Sequence, residues 1–306
     1  MTVKPNFFIV GAPKCGTTAL YRYLRLHPNI FLPAKKEPHF FARDLGDYPA
    51  IKTMDQYLAL FAGAKAWHHR VGEASVYYLR SAVAIPGIRE FNPEARLIAM
   101  FRNPVDLVYS FHSQLLYWAE ETVVDFEAAW RLQEPRSRGL HLPHGSRGAF
   151  LLQYAEMGRL GSQLERLLAT FPAAQVKAIL YDDFAASPRQ VYDDVVAFLG
   201  LPYDGRTEFP RINDNKRAKV AWLRNFIRKP PPALREVYRG VKARVGRKPL
   251  DAIRQAVISR ITVNERREPL SPAFRAELDQ VFRDEVALLG RLLGRDLSHW
   301  AGGVPG

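Results

Sequence analysis

One cysteine, Cys15, is all the thiol chemistry this 306-residue chain contains. No disulfide can form within it, and a structural zinc site built from several thiolates is excluded. Long apolar runs are also missing: nothing approaches the ~18 residues that cross a bilayer. The first apolar run, Phe7 to Val10, is too short for a secretory h-region and passes directly into a glycine-rich turn. A cytoplasmic protein without a membrane span is therefore expected. Repeats and low-complexity tracts are absent; Lys229-Pro230-Pro231-Pro232 reads as a rigid joint between two helix-like stretches. Acid is the scarce charge. Asp and Glu total 31 against 44 Lys and Arg, for a net charge of +13. With 47% hydrophobic and 25% charged residues, the chain is of ordinary globular composition, not disordered, collagenous or coiled-coil. The surplus of cations calls for an anionic partner: nucleic acid, a membrane surface or a small polyanion.

What is present alternates between two periods. Phe7–Val10, Arg96–Phe101 and Gln175–Tyr181 are short apolar runs of strand character. Helical patterns follow each, over about 17–26, 105–119 and 188–199. Strands alternating with helices predict an α/β fold, a central parallel sheet with both faces covered. Residues 233–300 read as a mostly helical C-terminal region, with Phe274, Leu278, Val281, Phe282, Val286, Leu289 and Leu293 at helical spacing. The stretch 120–150, with Pro135, Gly139, Pro143, Gly145 and Gly148, reads as a long substrate loop or lid. The whole of 1–306 is expected to be one domain.

Between the first strand and first helix lies Gly11-Ala12-Pro13-Lys14-Cys15-Gly16-Thr17-Thr18. Glycines allow a tight turn that aims successive N–H groups at an anion, and the helix N-terminus adds its positive dipole end. Gly11 and Gly16 have the spacing of a nucleoside-triphosphate loop, G-x-x-x-x-G-K-[ST]. The lysine of that motif would stand at residue 17, which is Thr17; the loop's lysine is instead Lys14. A standard triphosphatase is disfavoured. A second basic group, Arg102, follows the strand at 96–101 and precedes a helix. This places it at the carboxyl edge of the sheet, where open α/β folds bind ligands.

Phe7 through Leu20 resembles the 5′-phosphosulfate loop of sulfotransferases that use 3′-phosphoadenosine 5′-phosphosulfate (PAPS), with a Lys-Cys-Gly-Thr-Thr variant similar to the bacterial and carbohydrate-modifying branches. Lys36-Glu37-Pro38-His39-Phe40-Phe41 resembles a segment of heparan sulfate sulfotransferases, and Arg102-Asn103-Pro104-Val105-Asp106 with Ser110 resembles the family's 3′-phosphate motif. Tyr181-Asp182-Asp183-Phe184, Phe198-Leu199-Gly200-Leu201 and Gly294 to Trp300 match more loosely. The resemblance implies a P-loop-type sheet flanked by helices and an enzyme that moves a sulfuryl group from PAPS to a sugar, lipid or secondary-metabolite hydroxyl, releasing 3′,5′-ADP (PAP). It implies no metal.

The same resemblance assigns roles. Lys14 would meet the charge that grows on the leaving phosphate oxygen. Cys15, Gly16, Thr17 and Thr18 would hold the 5′-phosphate, and Arg102 and Ser110 the 3′-phosphate. Lys216 and Arg217 fall where related enzymes close a loop over the nucleotide. Glu37 is the first candidate for the base and His39 the supporting one, both within reach of a common proton if the segment is extended. One position departs: a lysine follows the glutamate in the relatives' counterpart of Gly72-Glu73-Ala74-Ser75, and here it is Ala74. The second site lysine is missing or supplied elsewhere, while Glu73 and Ser75 are expected to line the site. Cys15, at a helix start among cations, is expected to carry a lowered thiol pKa. In the 120–150 stretch and beside it, Trp118, Trp130, Arg136, Arg138, His141, His144 and Arg147 are candidates to meet the acceptor.

Two other classes stand beside this reading. A P-loop kinase-like enzyme would need the lysine that Thr17 replaces. A nucleic-acid binder would use the alternation Trp222, Arg224, Phe226, Arg228, which equally fits a helix that packs its aromatics and solvates its arginines.

Overall fold

Apolar sequence becomes buried sheet at once: strand β1 (Phe7–Gly11) is solvent-excluded at every position. The computed structural model describes residues 3–46, 48–212, 216–218, 262–264 and 268–301. After β1 come α1 (Thr17–Leu24), β2 (Ile30–Phe31), α2 (Met54–Leu58), β3 (Arg70–Ala74), α3 (Ala84–Phe91), β4 (Arg96–Phe101) and α4 (Pro104–Trp118). The chain continues through α5 (Phe126–Arg131), α6 (Gln133–Ser137), α7 (Tyr154–Gly158), α8 (Leu160–Thr170), β5 (Val176–Leu180), α9 (Tyr181–Ala186) and α10 (Pro188–Phe198). Two short strands, β6 (Lys216–Ala218) and β7 (Thr262–Asn264), precede the long helix α11 (Pro272–Leu293).

The described chain divides into two compact units. The first comprises 1–108, 155–212 and 270–306 and holds the five-stranded sheet, in the order β2-β3-β1-β4-β5. All its pairings are parallel, which is the expected α/β sheet. β1 pairs with β3 on one side (Phe7 opposite Gly72, Ile9 opposite Ala74) and with β4 on the other (Ile9 opposite Ile98). The order of connection reverses at β1, so the crevice beyond the carboxyl ends of β1 and β4 is the binding position of such folds. β3 was not legible as a strand. It is short and carries Arg70 and Glu73, and it packs only because Gly72 has no side chain: a Cβ there would stand 2.3 Å from the Phe7 ring.

Helix α11 is capped by Ser271, whose hydroxyl accepts the Phe274 N–H, and ends at Gly294 in the left-handed region (φ 61°). It buries Phe274, Leu278, Phe282 and Leu289 as its spacing predicts, whereas Val281 faces solvent. Glu285 fastens it to α8, accepting from the Ser162 N–H at 2.8 Å and the Ser162 hydroxyl at 2.6 Å. Of the expected helical stretch before residue 268, only Thr262–Asn264 is described, and it is strand β7 rather than helix; the rest lies outside the described residues, as do the Pro-rich joint and Trp222 to Arg228.

The second unit comprises 109–154 and 213–269. Here 120–150 differs from the loop expected of it. It carries α5 and α6, and Pro135 is accommodated in the first turn of α6, where a missing N–H costs nothing. Two adjacent acids organise it. Glu121, wholly buried, receives both arms of the Arg136 guanidinium at 2.6 and 2.8 Å, the Tyr154 hydroxyl at 2.7 Å, and the N–H groups of Thr122 and Val123. Glu120 receives Arg147 Nε at 2.8 Å, and that guanidinium lies over the Trp118 ring. Arg136 is thus withdrawn from any acceptor, and Arg138 pairs with Glu134. β6 and β7 pair antiparallel, with Arg217 opposite Val263.

Candidate active site

The turn after β1 has the shape its glycines predict. Ala12 N–H crosses to the Met100 carbonyl (2.8 Å) at the end of β4, and Gly16 adopts φ 86° as the residue before α1. A Cβ on Gly16 would lie 3.0 Å from the Phe184 ring, so glycine is required twice over. The first N–H groups of α1, beginning at Thr17, have no partner within the helix. Lys14, half-buried, holds a left-handed backbone (φ 64°) that side-chain-bearing residues rarely adopt. Thr17 is buried and Thr18 half-buried.

Cys15 corrects an expectation. Its thiol is completely buried, with Sγ 3.4 Å from the Pro13 carbonyl, and burial pushes its pKa up to about 12 although the nearby charges of Arg102 and Lys14 pull it down. Desolvation outweighs the helix start. The side chain fills space beneath the loop, leaving only its backbone to face an anion. Lys14 and Arg102 come from separate loops, after β1 and β4, and the pairing of those strands brings the two loops side by side.

Arg102 follows β4 directly. Its guanidinium lies over the Tyr181 ring at 4.8 Å and reaches Asp106 at 3.8 Å. Asn103 caps α4, accepting the Val105 N–H at 2.9 Å, and donates its amide to the Trp300 carbonyl at 2.7 Å. Trp300 Nε1 donates to Asp182 (2.7 Å), and Arg295 pairs with Asp183 at 2.9 Å. The two loosely matching segments, 181–184 and 294–300, are therefore brought together behind Arg102. Ser110 is buried two turns along α4. It belongs to the second unit, as do Lys216 and Arg217, which stand on β6 and of which only the backbone is described.

The third component is the 36–41 segment, and it hangs from the end of β3. Glu37 N–H donates to the Ala74 carbonyl (2.9 Å), His39 N–H to the Ser75 hydroxyl (3.0 Å) and Phe41 N–H to the Tyr78 hydroxyl (3.3 Å). Glu37 and His39 both take left-handed backbone angles, φ 63° and 52°, a strain that surrounding contacts must sustain. His39 is enclosed in rings: it stacks on Tyr77 at 4.8 Å and meets Tyr48 edge-on at 5.2 Å. Its Nε2 lies 3.7 Å from Glu37 Oε2. Glu37 Oε1 accepts from Lys36 Nζ at 2.7 Å. Burial pushes the Glu37 carboxyl pKa up, but the Lys36 ammonium and then His39 outweigh it and bring it to about 2.

Glu73 and Ser75 do not line the site; both are fully buried behind it. Burial pushes the Glu73 pKa up to about 8, against the Tyr78 and Ser75 hydroxyls and the Lys36 charge. Each of those hydroxyls accepts an N–H from the 36–41 segment. Lys36 is the residue sequence reasoning passed over. Its Nζ lies between the Glu37 carboxylate and the Thr17 hydroxyl, 3.5 Å from the latter. The one available signal was its place in the Lys36-Glu37-Pro38-His39 motif.

Comparison with known proteins gives the arrangement its context. The chain matches the sulfotransferase domain family over residues 4–229. It is similar to the crystal structure of a sulfotransferase from Alicyclobacillus acidocaldarius, 31% identical with a TM-score of 0.70, covering 97% of this chain and 99% of that one. It is 33% identical to mouse carbohydrate sulfotransferase 15 over 38% of this chain and 27% of the relative. It is 29% identical to human bifunctional heparan sulfate N-deacetylase/N-sulfotransferase 3 over 69% of this chain and 24% of the relative. The chain spans about a quarter of the length of these curated relatives. No helix among the described residues is long and apolar enough to cross a membrane.

Proposed function

The chain belongs to the sulfotransferase family, and from that membership we propose that it transfers a sulfuryl group from PAPS to a hydroxyl of a sugar, lipid or secondary metabolite. The observation that carries the reading is the convergence of two cations on one glycine turn. Lys14 and Arg102 follow the carboxyl ends of the paired strands β1 and β4, which the Ala12 N–H ties together at the Met100 carbonyl (2.8 Å). That cradle fits a phosphate-bearing donor: a left-handed Gly16 with no room for a Cβ, unpaired helix N–H groups and two guanidinium or ammonium groups.

PAPS supplies an activated sulfuryl group. Lys14, with the N–H groups of Gly16, Thr17 and Thr18, stabilises negative charge on the 5′-phosphate side, and Arg102 with Ser110 binds the 3′-phosphate. Glu37 takes the acceptor's proton as the new O–S bond forms and the S–O bond to the phosphate breaks, releasing PAP; His39 steadies Glu37 from its aromatic enclosure. Within the P-loop class, Thr17 at the position of the triphosphatase lysine argues against a kinase.

Titration calorimetry of PAP without magnesium and of ATP with it tests the donor assignment. PAP is expected to bind at least tenfold more tightly than ATP–Mg, and tighter ATP–Mg binding overturns the assignment. A panel of sugar, lipid and phenolic acceptors assayed with radiolabelled PAPS then identifies the acceptor class.

A further inference from the structure

Lys36 occupies a position that the roles above leave unused. Its ammonium touches the candidate base, Glu37 Oε1, at 2.7 Å and lies 3.5 Å from Thr17 Oγ1, a hydroxyl of the phosphate loop. It is therefore the side chain that physically connects the two halves of the site. The side chain is largely enclosed, at 16% exposure, so its charge acts at both ends with little screening by water.

The arrangement contains a conflict. A carboxylate held by an ammonium at 2.7 Å is a poor proton acceptor, because the pairing that keeps it ionised also removes its affinity for a proton. Other groups facing Glu37 do not relieve this. His39 adds a second favourable contact from the same segment, Thr17 on α1 is uncharged, and Glu73, buried within β3, is kept largely neutral at pH 7 by burial. The one change that frees Glu37 is departure of Lys36, and the neighbouring phosphate loop is where an ammonium would go.

The position relative to Ala74 strengthens the point. The Ala74 carbonyl is bonded directly to Glu37 N–H. Ala74 brings no cation to this corner, and Lys36, one residue before Glu37, brings one.

We propose that Lys36 is a donor-sensing switch for the base: its ammonium is exchanged from the Glu37 carboxylate to the sulfuryl oxygens of a bound donor, which supplies a cation to the transferring group and releases Glu37 to accept the acceptor's proton. The proposal rests on the PAPS reading. It makes Lys36 a positioning residue for Glu37 and implies that an acceptor hydroxyl meets a competent base only after the donor is in place.

PAPS and PAP differ by the sulfuryl group alone, so their affinities for single and double variants isolate the switch. Lys36→Met is expected to weaken PAPS binding about tenfold, the loss of one charge-assisted contact, and to leave PAP binding within twofold. Glu37→Gln, which releases the ammonium from its competing partner, is expected to tighten PAPS severalfold without changing PAP. In the double variant that gain disappears, because the two sites are coupled through one ammonium. Retained PAP affinity certifies that each variant is folded; if Lys36→Met loses it, Lys36→Gln replaces it in the cycle. Equal weakening of PAP and PAPS by the Lys36 variants, or a Glu37→Gln effect that persists without Lys36, overturns the switch while leaving the donor assignment intact. Failure of the unmodified protein to bind either nucleotide overturns the donor assignment and the switch with it.

Discussion

Ser75 ties the end of β3 to His39: its Oγ accepts the His39 N–H at 3.0 Å, and two residues before it the Glu73 carboxyl is wholly buried. A wholly buried acid thus stands directly behind the strained segment carrying the candidate base, and burial favours its protonated form. Its folded pKa of about 8 is raised above the unfolded value of about 4.3. The stabilising difference is then complete below pH ~4.3 and is lost as pH rises towards 8. Glu73→Gln keeps the shape and removes the titration. Thermal unfolding is expected to show the variant gaining stability over the unmodified protein at pH 8, by about 1–3 kcal/mol, and no gain at pH 4.5. An advantage independent of pH would mean that Glu73 is not the buried titrating group.

Cys15 is expected to resist alkylation. With its pKa raised to about 12 and no exposed surface, it holds a negligible thiolate fraction at pH 8. Mass spectrometry after iodoacetamide treatment should show an unmodified native chain and a singly alkylated chain in urea. Rapid native labelling would place the thiol at the surface of the loop.

Arg102 combines a stacked ring and an anion-facing fork, functions that lysine cannot duplicate. Arg102→Ala is expected to weaken PAP binding ten- to hundredfold, about 1.4–2.8 kcal/mol, and Arg102→Lys to restore only part of it. Calorimetric affinity for PAP that is unchanged in the alanine variant would reject the 3′-phosphate contact.

Breaking the Glu121–Arg136 pair leaves a charge buried without its partner. Arg136→Met is expected to destabilise by about 3–5 kcal/mol in urea unfolding, whereas Arg136→Met with Glu121→Leu recovers much of the loss. Arg138→Ala, whose Glu134 partner is exposed, should change stability by less than about 0.5 kcal/mol. Equal effects of the two single variants would contradict the burial of Arg136.

How much of this was legible in the sequence depended on how local each signal is. β1, the glycine turn and α1 form from consecutive residues, and apolar run, glycine and threonine announce them in order. Arg102 was readable for the same reason, since it directly follows β4. β3 was not: its alternation is broken by Arg70 and Glu73, and its place beside β1 depends on Gly72 making room for Phe7. Lys36 was seen only as a neighbour of Glu37, because its second contact, Thr17, is set by the fold. Cys15 was misjudged because the sequence displays the cations around a thiol but not the depth at which it lies. Within 120–150, the glycines and Pro143 mark the turns of 138–148 as expected, whereas α5 and α6 were not legible, because the force that orders them is a buried ion pair between residues 15 apart.

The contact between Asn103 and the Trp300 carbonyl joins residues 197 positions apart. During synthesis, the turn that carries Arg102 leaves the ribosome long before the residue that closes it. At ~5–20 residues per second the interval is roughly 10–40 s. The turn that carries Arg102 therefore waits for Trp300 before its Asn103 amide finds this partner, so the edge of the sheet beside β4 is completed well after β4 itself has been made.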